Sequence, residues 1–425
     1  MLHTIMSQFI IEGGRRLGGS LRVNGSKNTA LKLLSAALLA RGPVVLRNIP
    51  DVADVRSMIV LMRDLGADVN FQDHICTINP SQLTKSEIDP EISKRFRASI
   101  MLAVPLFLRT GTAVFPHPGG DVIGERPIDV FLDGYRAFGA TVAHTQKLYT
   151  ILGSDLHAAT FVLPVISVQG TEGLMMLATQ LHGTSKLVNA ACEPEVAALA
   201  DFLNTLGAKI TGAGTPTITI EGGAEFTLQP VDFTNIPDRI EAGSFIILGV
   251  AANAELVVTD MEPSHLEVPL AYLNKMGARF EIAEHSVRVV PNGEMQAVHL
   301  LKTHEYPGFP TDLQSPMVVL MTQVFGQSIV QETVYEGRLA WTEELKRMGA
   351  DILNLDNFRV AVTGPTALRG RVAESLDIRA GMAYLIAGLI AHGKSTINGI
   401  EKIDRGYERI EERLRAIGAD IRRAD

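Results

Sequence analysis

Six basic residues stand where they could bind an anionic substrate. Most of them open segments that begin polar and then turn apolar, as the first turn of a buried helix does. A helix N-terminus presents unpaired N–H groups and the positive end of the helix dipole, which together form an anion site. Each side chain taken alone is more simply a solvated surface charge, but their recurrence at equivalent positions favours binding of phosphate or carboxylate. The six are Lys27, Arg97, Arg126, Arg239, Arg379 and Arg405.

Acidic residues also occur at predicted helix starts, where a structural role is the simpler interpretation. Asp312 lies between Thr311 and Gln314, which have the spacing of a capping box, and an aspartate in a first turn complements the helix dipole. From spacing alone this structural role is favoured for Asp312. Glu193 and Asp404 are likewise interpreted as ordinary acids at helix starts.

The segment PHPGGDVIGERP, residues 116–127, carries Asp121 and Glu125 among prolines and glycines. This composition predicts a loop. Long glycine-rich loops often act as lids over a site, and a plain surface turn is an equally good interpretation. Both interpretations stay open on the sequence pattern alone.

A short phrase ending in Gly-Ala recurs six times and divides the chain into units of roughly 70 residues. Each copy predicts an amphipathic helix that ends in a C-capping glycine and returns into a strand. Helical and leucine-rich solenoids have shorter periods, so a mixed α/β unit is favoured. The glycines are Gly66, Gly139, Gly207, Gly277, Gly349 and Gly418.

A second set of six segments turns apolar on nearly all sides, which predicts buried helices. Short strands are predicted between the helices, for instance at 44–48, 217–221 and 287–290. The last surface helix is predicted in IDRGYERIEERL, with Arg405 at its start. The buried segments are SKNTALKLLSAALLARG, FRASIMLAVPLFLRTG, SVQGTEGLMMLATQLHG, DRIEAGSFIILGVAANA, TDLQSPMVVLMTQVFG and DIRAGMAYLIAGLIAHG.

Six copies predict two domains of three units each, and 425 residues exceed what one core supports. The break is expected near 233–237. Because the first strand precedes the first buried helix, the N-terminal segment is expected to complete the C-terminal domain. The predicted domains are residues 1–26 with 237–425, and residues 27–236 with the loop 116–127.

Composition narrows the function classes. With 46% hydrophobic and 20% charged residues the chain should fold almost throughout. A formal charge of −8 repels nucleic acid and anionic lipid. The apolar stretches are shorter than the ~20 residues of a membrane span, and residues 1–11 lack an export signal. Cys76 and Cys192 suggest neither a disulfide nor a zinc site, so we expect a cytoplasmic protein.

Eight phrases resemble the enolpyruvyl transferase family, in order along essentially the whole chain. The resemblance implies an α/β (α+β) fold, a two-domain inside-out α/β barrel of six βαβαββ repeats, three per domain, with helices inside and sheets outside. It also implies that phosphoenolpyruvate binds between the domains. The phrases are GSKNTAL, FRASI, PGGDVIGERPID, EPE, PDRIEAG, GFPTDLQ, ETVYEGR and IDRGYERIEERL.

The resemblance implies transfer of the enolpyruvyl group of phosphoenolpyruvate to the 3-hydroxyl of UDP-N-acetylglucosamine, the first committed step of peptidoglycan synthesis, without a cofactor or metal. It implies that Lys27, Arg126 and Arg405 hold the donor's phosphate and carboxylate. It implies Asp312 as a general base near the attacking hydroxyl. Arg379 is added as a substrate-binding cation. The implied sugar-nucleotide contacts are Asn28, Arg97, Arg126, Pro127, Asp129, Val130, Ser167, Val168 and Val334.

Asp121 departs from the family pattern. Most members carry a cysteine there, thought to donate a proton to C3 of phosphoenolpyruvate, and some carry aspartate. A free aspartate with a pKa near ~3.9 is mostly ionised at neutral pH, so the bound phosphate would have to favour its protonated form. We therefore expect activity favouring mildly acidic conditions and resistance to fosfomycin, an epoxide that alkylates the cysteine sulfur.

Three further departures bear on the acceptor. Phe131, Val165 and Gln169 stand where the common pattern has His, Lys and Gly beside the uridine diphosphate. They leave open a paralogue that uses another nucleotide or shikimate-3-phosphate, and a non-catalytic regulator that binds a nucleotide sugar. Lys27, Asp312 and Arg405 match the family pattern, which favours catalysis.

Overall fold

The computed structural model describes residues 7–80, 83–121, 123–124, 126–153 and 155–424. The segment 1–11, which is predicted to lack an export signal, is described only from residue 7 onward. Glu125 of the 116–127 loop lies outside the described residues.

Strands of three to six residues alternate with helices along the described chain. The strands are β1 (Gln8–Glu12), β2 (Gly18–Arg22), β3 (Val44–Arg47), β4 (Asp68–Gln72), β5 (Ile75–Asn79), β6 (Thr112–Pro116), β7 (Ala140–His144), β8 (Leu148–Gly153), β9 (Thr160–Val162), β10 (Thr184–Val188), β11 (Lys209–Thr211), β12 (Thr217–Glu221), β13 (Val231–Thr234), β14 (Glu255–Thr259), β15 (Arg279–Ala283), β16 (Ser286–Val290), β17 (Leu300–Lys302), β18 (Gly326–Gln331), β19 (Asp351–Asp356), β20 (Arg359–Gly364), β21 (Val372–Glu374), β22 (Lys394–Asn398) and β23 (Asp420–Ala424).

Apart from α3 (Pro90–Ser93), the helices fall in the segments that the two sets of repeats predict. They are α1 (Lys27–Ala37), α2 (Ala53–Asp64), α3 (Pro90–Ser93), α4 (Ala103–Thr110), α5 (Asp129–Ala137), α6 (Val168–Ala178), α7 (Pro194–Leu206), α8 (Arg239–Ala251), α9 (Glu267–Lys275), α10 (Gln314–Met321), α11 (Thr342–Arg347), α12 (Ile378–Ile390) and α13 (Ile410–Ala416). Short 3-10 helices at Arg97–Leu102 and Thr311–Leu313 precede α4 and α10, and a third covers Pro263–Leu266.

The strands pair into small sheets that repeat one plan. Five sheets have four strands, in the orders β13-β3-β5-β4, β9-β10-β12-β11, β2-β14-β16-β15, β17-β18-β20-β19 and β21-β22-β1-β23. In each the first pair is parallel and the other pairs are antiparallel. The sixth sheet, β6-β8-β7, has a parallel bridge between Glu87 and Val114 in place of the first strand. A parallel pair requires a crossover, and the buried helices α6, α10 and α12 supply it between β9 and β10, β17 and β18, and β21 and β22.

The six apolar segments form the buried helices α1, α4, α6, α8, α10 and α12, as predicted. Nearly every residue of α8 and α12 is buried, because a helix that is apolar all round loses no polar contact with water when enclosed. Helices α8, α10 and α12 contact one another, and α4 contacts both α1 and α6.

The six predicted capping glycines have positive φ angles, between 88° and 116°. They follow α2, α5, α7, α9, α11 and α13, and each is followed by a strand. Glycine enters this left-handed region without the steric cost of a Cβ. The predicted helix-to-strand turn is therefore confirmed in all six copies.

The chain falls into two units, each with its own core. Among the described residues the first unit comprises 7–24, 121, 123–124 and 237–424, and the second comprises 25–120 and 126–236. Strands β1 and β2 both pair within sheets of the first unit. The predicted boundaries at 26/27 and 236/237 stay a prediction, and Asp121 groups with the first unit instead of with its chain neighbours.

Arg405 does not begin a helix, contrary to the prediction. Residues 401–409 form turns, and α13 starts only at Ile410. Arg409 has a φ angle of 43°, and this left-handed conformation interrupts a right-handed helix.

No helix in the described ranges combines the length and apolarity needed to cross a bilayer. The histidine, cysteine and acidic side chains of the same ranges form no group of three or more that could hold a metal ion. Cys76 and Cys192 form no disulfide.

Candidate active site

Lys27 is the first residue of α1 in the second unit and is 8% exposed. Ser26 caps the helix by accepting a hydrogen bond from Thr29 N at 3.2 Å. Lys27 Nζ donates to Asp54 Oδ2 on α2 at 3.4 Å, so a carboxylate compensates this nearly buried charge. Asn28 follows on α1 and is half-buried. The helix start thus holds a fixed cation at the positive end of the helix dipole.

Arg97 joins two other predicted site segments of the second unit. Its Nη2 donates to the carbonyl oxygen of Pro127 at 3.0 Å, and its Nε donates to Gln169 Oε1 at 3.4 Å. Gly120 has a φ angle of 120°, and at this residue the loop backbone lies close to Arg97 and Arg126. A Cβ there would lie 3.2 Å from Arg97 Cβ and 3.4 Å from Arg126 Nη1.

The remaining predicted residues of the second unit lie at two helix starts. Asp129 is the exposed first residue of α5, and Val130 is half-buried. Ser167 caps α6 by accepting from Gly170 N at 3.1 Å, and the half-buried Val168 follows it. Predicted substrate contacts therefore lie at the N-terminal turns of both helices.

The three departures have different structural settings. Phe131 is 3% exposed and packs edge-on against Tyr135, with ring centroids 4.9 Å apart. A Cβ at Gly173 would lie 2.5 Å from Phe131 Cε2, so the ring occupies space that this glycine leaves. Val165 is 59% exposed, and Gln169 contacts Arg97. Phe131 is therefore a core residue, whereas Val165 and Gln169 are accessible for binding.

Asp312 in the first unit is held by two arginines. Arg338 Nη2 donates to Asp312 Oδ1 at 2.8 Å, and Arg379 Nε and Nη2 reach Oδ2 at 3.0 and 2.7 Å. Both arginines are buried. Burial lowers the pKa of each guanidinium, but attraction to Asp312 and other acids outweighs it and raises both pKa values. The two guanidinium groups hold the Asp312 carboxylate in a fixed orientation.

The predicted capping box at Thr311 and Gln314 is wrong. Thr311 Oγ1 donates to Glu332 Oε2 at 2.7 Å and does not cap the helix. Gln314 Oε1 accepts from Ser315 Oγ at 3.2 Å and from Trp341 Nε1 at 3.4 Å. The buried partners on other elements outcompete the local capping contacts.

Arg379 is the second residue of α12, where Asp377 caps the helix by accepting from Arg379 N at 2.8 Å. Its Nη1 donates to Tyr407 Oη at 3.2 Å, and its guanidinium lies 5.7 Å from the centroid of that ring. The structure therefore gives Arg379 protein partners, Asp312 above all.

Asp121 and Arg405 are brought together within the first unit. Arg405 Nη1 donates to Asp121 Oδ1, and each side chain is 17% exposed. The predicted proton donor thus contacts a predicted anion-binding cation. The N–H group of Arg405 that donates to Asp121 is not available to a substrate anion at the same time.

The sequence and fold have known relatives. Residues 11–414 match the family model described as EPSP synthase (3-phosphoshikimate 1-carboxyvinyltransferase). The chain belongs to this family of enolpyruvyl transferases. It is 42% identical over 418 residues to the UDP-N-acetylglucosamine 1-carboxyvinyltransferase of Desulfosudis oleivorans, with 98% of this chain and 99% of the relative covered.

Solved structures of enolpyruvyl transferases share the fold. The enolpyruvyl transferase NikO from Streptomyces tendae has a TM-score of 0.89 at 26% identity, with 99% of both chains covered. EPSP synthase from Acinetobacter baumannii has a TM-score of 0.76 at 18% identity, covering 99% of this chain and 100% of that one. The second likeness concerns the fold alone. The resemblance and the two-domain α/β fold class are confirmed.

Two groups of polar residues in this enolpyruvyl transferase were not predicted from its sequence. The first consists of Glu332 and Arg338, which lie beside Val334 and Asp312 in the first unit. Both residues belong to the family phrase ETVYEGR, which could have indicated them. Val334 N donates to Glu332 Oε1 at 2.8 Å. This contact links a predicted substrate residue to a buried carboxylate.

The second missed group is a buried ion pair between α1 and α6. Lys32 Nζ lies 3.2 Å from Glu172 Oε2, and both side chains are nearly or wholly buried. Burial raises the pKa of Glu172 to about 7, although Lys32 acts to lower it and the nearby Glu193 and Glu195 raise it. Its signal was the presence of two charged residues in segments otherwise interpreted as apolar.

Proposed function

We propose that this enolpyruvyl transferase transfers the enolpyruvyl group of phosphoenolpyruvate to the 3-hydroxyl of UDP-N-acetylglucosamine, with release of phosphate. The observation that carries the proposal is the 42% identity, over nearly the full length of both chains, to a relative named for this reaction. The 18% identity to an EPSP synthase of the same fold makes shikimate-3-phosphate the weaker candidate acceptor.

The proposed residues suit an addition followed by an elimination. The acceptor oxygen bonds to C2 of phosphoenolpyruvate, its proton passes to Asp312, and Asp121 gives a proton to C3. The bond from C2 to the phosphate oxygen then breaks while C3 returns a proton to the carboxylate of Asp121, which yields the enolpyruvyl ether and inorganic phosphate. Because two arginines hold the Asp312 carboxylate in place, it has a fixed orientation for accepting a proton.

Electrostatic binding of the donor is assigned to Lys27, Arg126 and Arg405. Phosphoenolpyruvate carries a phosphate and a carboxylate, and forked guanidinium contacts suit both groups. Positive groups placed in advance also stabilise the charge that develops on the leaving phosphate. Lys27 supports this assignment because it is nearly buried at a helix N-terminus.

The residues assigned to the acceptor are those that the resemblance implies. They are Asn28, Arg97, Arg126, Pro127, Asp129, Val130, Ser167, Val168 and Val334. Phe131 lies in the core and so cannot replace the missing polar partner. Gln169 touches Arg97 and offers an amide where the common pattern has glycine. We propose that this amide contributes to binding of the nucleotide.

The test is phosphate release by the purified chain with phosphoenolpyruvate. UDP-N-acetylglucosamine and shikimate-3-phosphate are supplied in parallel reactions, with no acceptor as the blank. Phosphate released only with the sugar nucleotide supports the proposal. Release with shikimate-3-phosphate alone would reverse the choice of acceptor, and binding of the sugar nucleotide without turnover would favour a regulator. The proposed role in the cell is the first committed step of peptidoglycan synthesis, in the cytoplasm.

A further inference from the structure

Glu332 follows β18 in the first unit. Its carboxylate is fully buried and therefore has no contact with solvent. Four donors converge on its two oxygens. Oε1 accepts from Thr303 Oγ1 at 2.9 Å, from Val334 N at 2.8 Å and from Tyr335 N at 3.3 Å. Oε2 accepts from Thr311 Oγ1 at 2.7 Å.

The hydrogen bonds around Glu332 suit a carboxylate that accepts at both oxygens. The two backbone groups can only donate. Thr303 Oγ1 accepts from Thr333 N at 2.9 Å, and Thr311 Oγ1 accepts from Arg338 Nη1 at 2.8 Å, so the proton of each hydroxyl can point to Glu332. For Thr303 the carbonyl oxygen of Gln331, at 3.4 Å, is the more distant acceptor. A carboxylate has the acceptor sites for four donors, and a protonated acid or an amide does not.

Thr311 carries the constraint from Glu332 to Asp312. Arg338 uses Nη1 on Thr311 Oγ1 and Nη2 on Asp312 Oδ1, each at 2.8 Å. The planar guanidinium fixes the angle between these two contacts. Glu332, Thr311, Arg338 and Asp312 therefore form one chain, in which the neutral hydroxyl of Thr311 joins Glu332 to the ion pair of Arg338 and Asp312.

We propose that Glu332 is a positioning residue for the transfer reaction. Its ionised carboxylate holds the main chain at Val334 on one side and, through Thr311 and Arg338, orients Asp312 on the other. The inference rests on the proposed function, in which Asp312 accepts the proton of the acceptor hydroxyl and Val334 contacts the sugar nucleotide. None of the donor-binding residues Lys27, Arg126 and Arg405 belongs to this hydrogen-bond chain.

The substitution Glu332→Gln tests the inference because it keeps the size of the side chain. The NH2 group of the glutamine would face a hydroxyl or backbone N–H group. Because both groups are donors, the hydrogen bond would be lost. We expect kcat to fall at least ~10-fold and KM for UDP-N-acetylglucosamine to rise several-fold, since hydrogen bonds to a buried charge are lost. KM for phosphoenolpyruvate should change by less than about twofold, because the lost hydrogen bonds do not touch the donor cations.

Glu241→Gln is the matched control. Glu241 is a buried carboxylate of the same unit that accepts from Asn24 N at 2.8 Å and pairs with Arg413. We expect this variant to lose stability without the split between kcat and the two KM values. Equal kinetic losses in both variants, or wild-type kinetics in Glu332→Gln, would overturn the inference.

A double-mutant cycle tests whether the chain acts as a unit. Thr311→Val removes the hydroxyl between Glu332 and Arg338 and keeps the shape of the side chain. If the two residues act through one chain, the double variant loses no more kcat than the worse single variant. Fully additive losses would contradict the relay through Thr311.

Hydrogen exchange separates this inference from the proposed function. The amides of Val334 and Tyr335 should exchange faster in Glu332→Gln than in the wild type, with no such change in Glu241→Gln. A wild-type protein without turnover would count against the proposed function alone, and the exchange would then decide the inference. Unchanged exchange at both amides would overturn it.

Discussion

Asp121 and Arg405 form an ion pair in which Arg405 Nη1 donates to Asp121 Oδ1, although 284 residues separate them along the chain. The proposed function gives these residues different tasks, since Arg405 binds the anionic donor and Asp121 supplies a proton. Bound phosphoenolpyruvate would compete with Asp121 for the guanidinium. Displacement would free the Asp121 side chain from Arg405, so donor binding and the position of Asp121 are expected to be coupled.

Asp121→Asn should lower kcat by roughly 10² to 10⁴, the usual contribution of a general acid. KM for phosphoenolpyruvate should not rise, because the asparagine no longer competes for Arg405 as an anion. Initial rates of phosphate release at several donor concentrations measure both quantities. A kcat within about threefold of wild type would remove Asp121 from the mechanism.

Asp121→Cys is the companion variant. It restores the thiol found in most family members, so turnover should return in part and fosfomycin should inactivate the enzyme with time. The wild-type protein should keep its activity under the same incubation, because a carboxylate lacks the sulfur that the epoxide alkylates. Time-dependent inactivation of the wild type would contradict this account.

Asp312→Asn should reduce both turnover and stability. The proposed base is lost, which predicts a fall in kcat of about 10² to 10⁴. Two buried guanidinium groups also lose their charged partner, at a cost of about 1–3 kcal/mol in the free energy of unfolding. Urea denaturation measures that cost. Asp356→Asn is the control: its partner Arg359 is exposed, so little change in the free energy of unfolding is expected.

Glu172 predicts a pH dependence of stability. Its folded-state pKa, raised by burial to about 7, exceeds the ordinary value of 4.5, so between these pH values the folded chain binds more protons than the unfolded chain. Stability should therefore fall as the pH rises through this window. The unfolding free energy of the wild type relative to Glu172→Gln should drop by about 2–3 kcal/mol between pH 5 and pH 8.

Denaturant titrations at several pH values test the prediction for Glu172. Glu221→Gln, which replaces an exposed glutamate of the same unit, serves as the control and should show a nearly flat difference from wild type. A flat difference for Glu172→Gln as well would mean that Glu172 keeps its ordinary titration on folding.

Val165→Lys tests the departure at the proposed nucleotide site. It restores the lysine of the common pattern, and the exposed position should accept it without loss of stability. We expect KM for UDP-N-acetylglucosamine to fall about 3- to 10-fold through attraction to the diphosphate. Val162→Lys, at a position exposed to 61%, adds the same charge nearby and should have little effect. Equal effects of both variants would show a general field instead of a specific contact.

Much of the fold follows from local pattern in the sequence. Gly66 and its five counterparts predicted the helix-to-strand turns, because only glycine enters the left-handed region readily. The all-apolar segments predicted the buried helices, since such a helix must be enclosed. The family phrases also indicated the candidate site residues. These signals are short-range, so one sequence suffices to find them.

Tertiary structure alone decided the partners of the charged residues. Thr311 has the spacing of a cap, yet its hydroxyl donates to Glu332, and Asp312 is held by Arg338 and Arg379 instead of only completing a helix dipole. A polar group in a buried setting takes whichever partner the packing brings within about 3 Å, because leaving it unpaired costs more than any local preference. That choice depends on elements distant along the chain, which the spacing of residues does not encode.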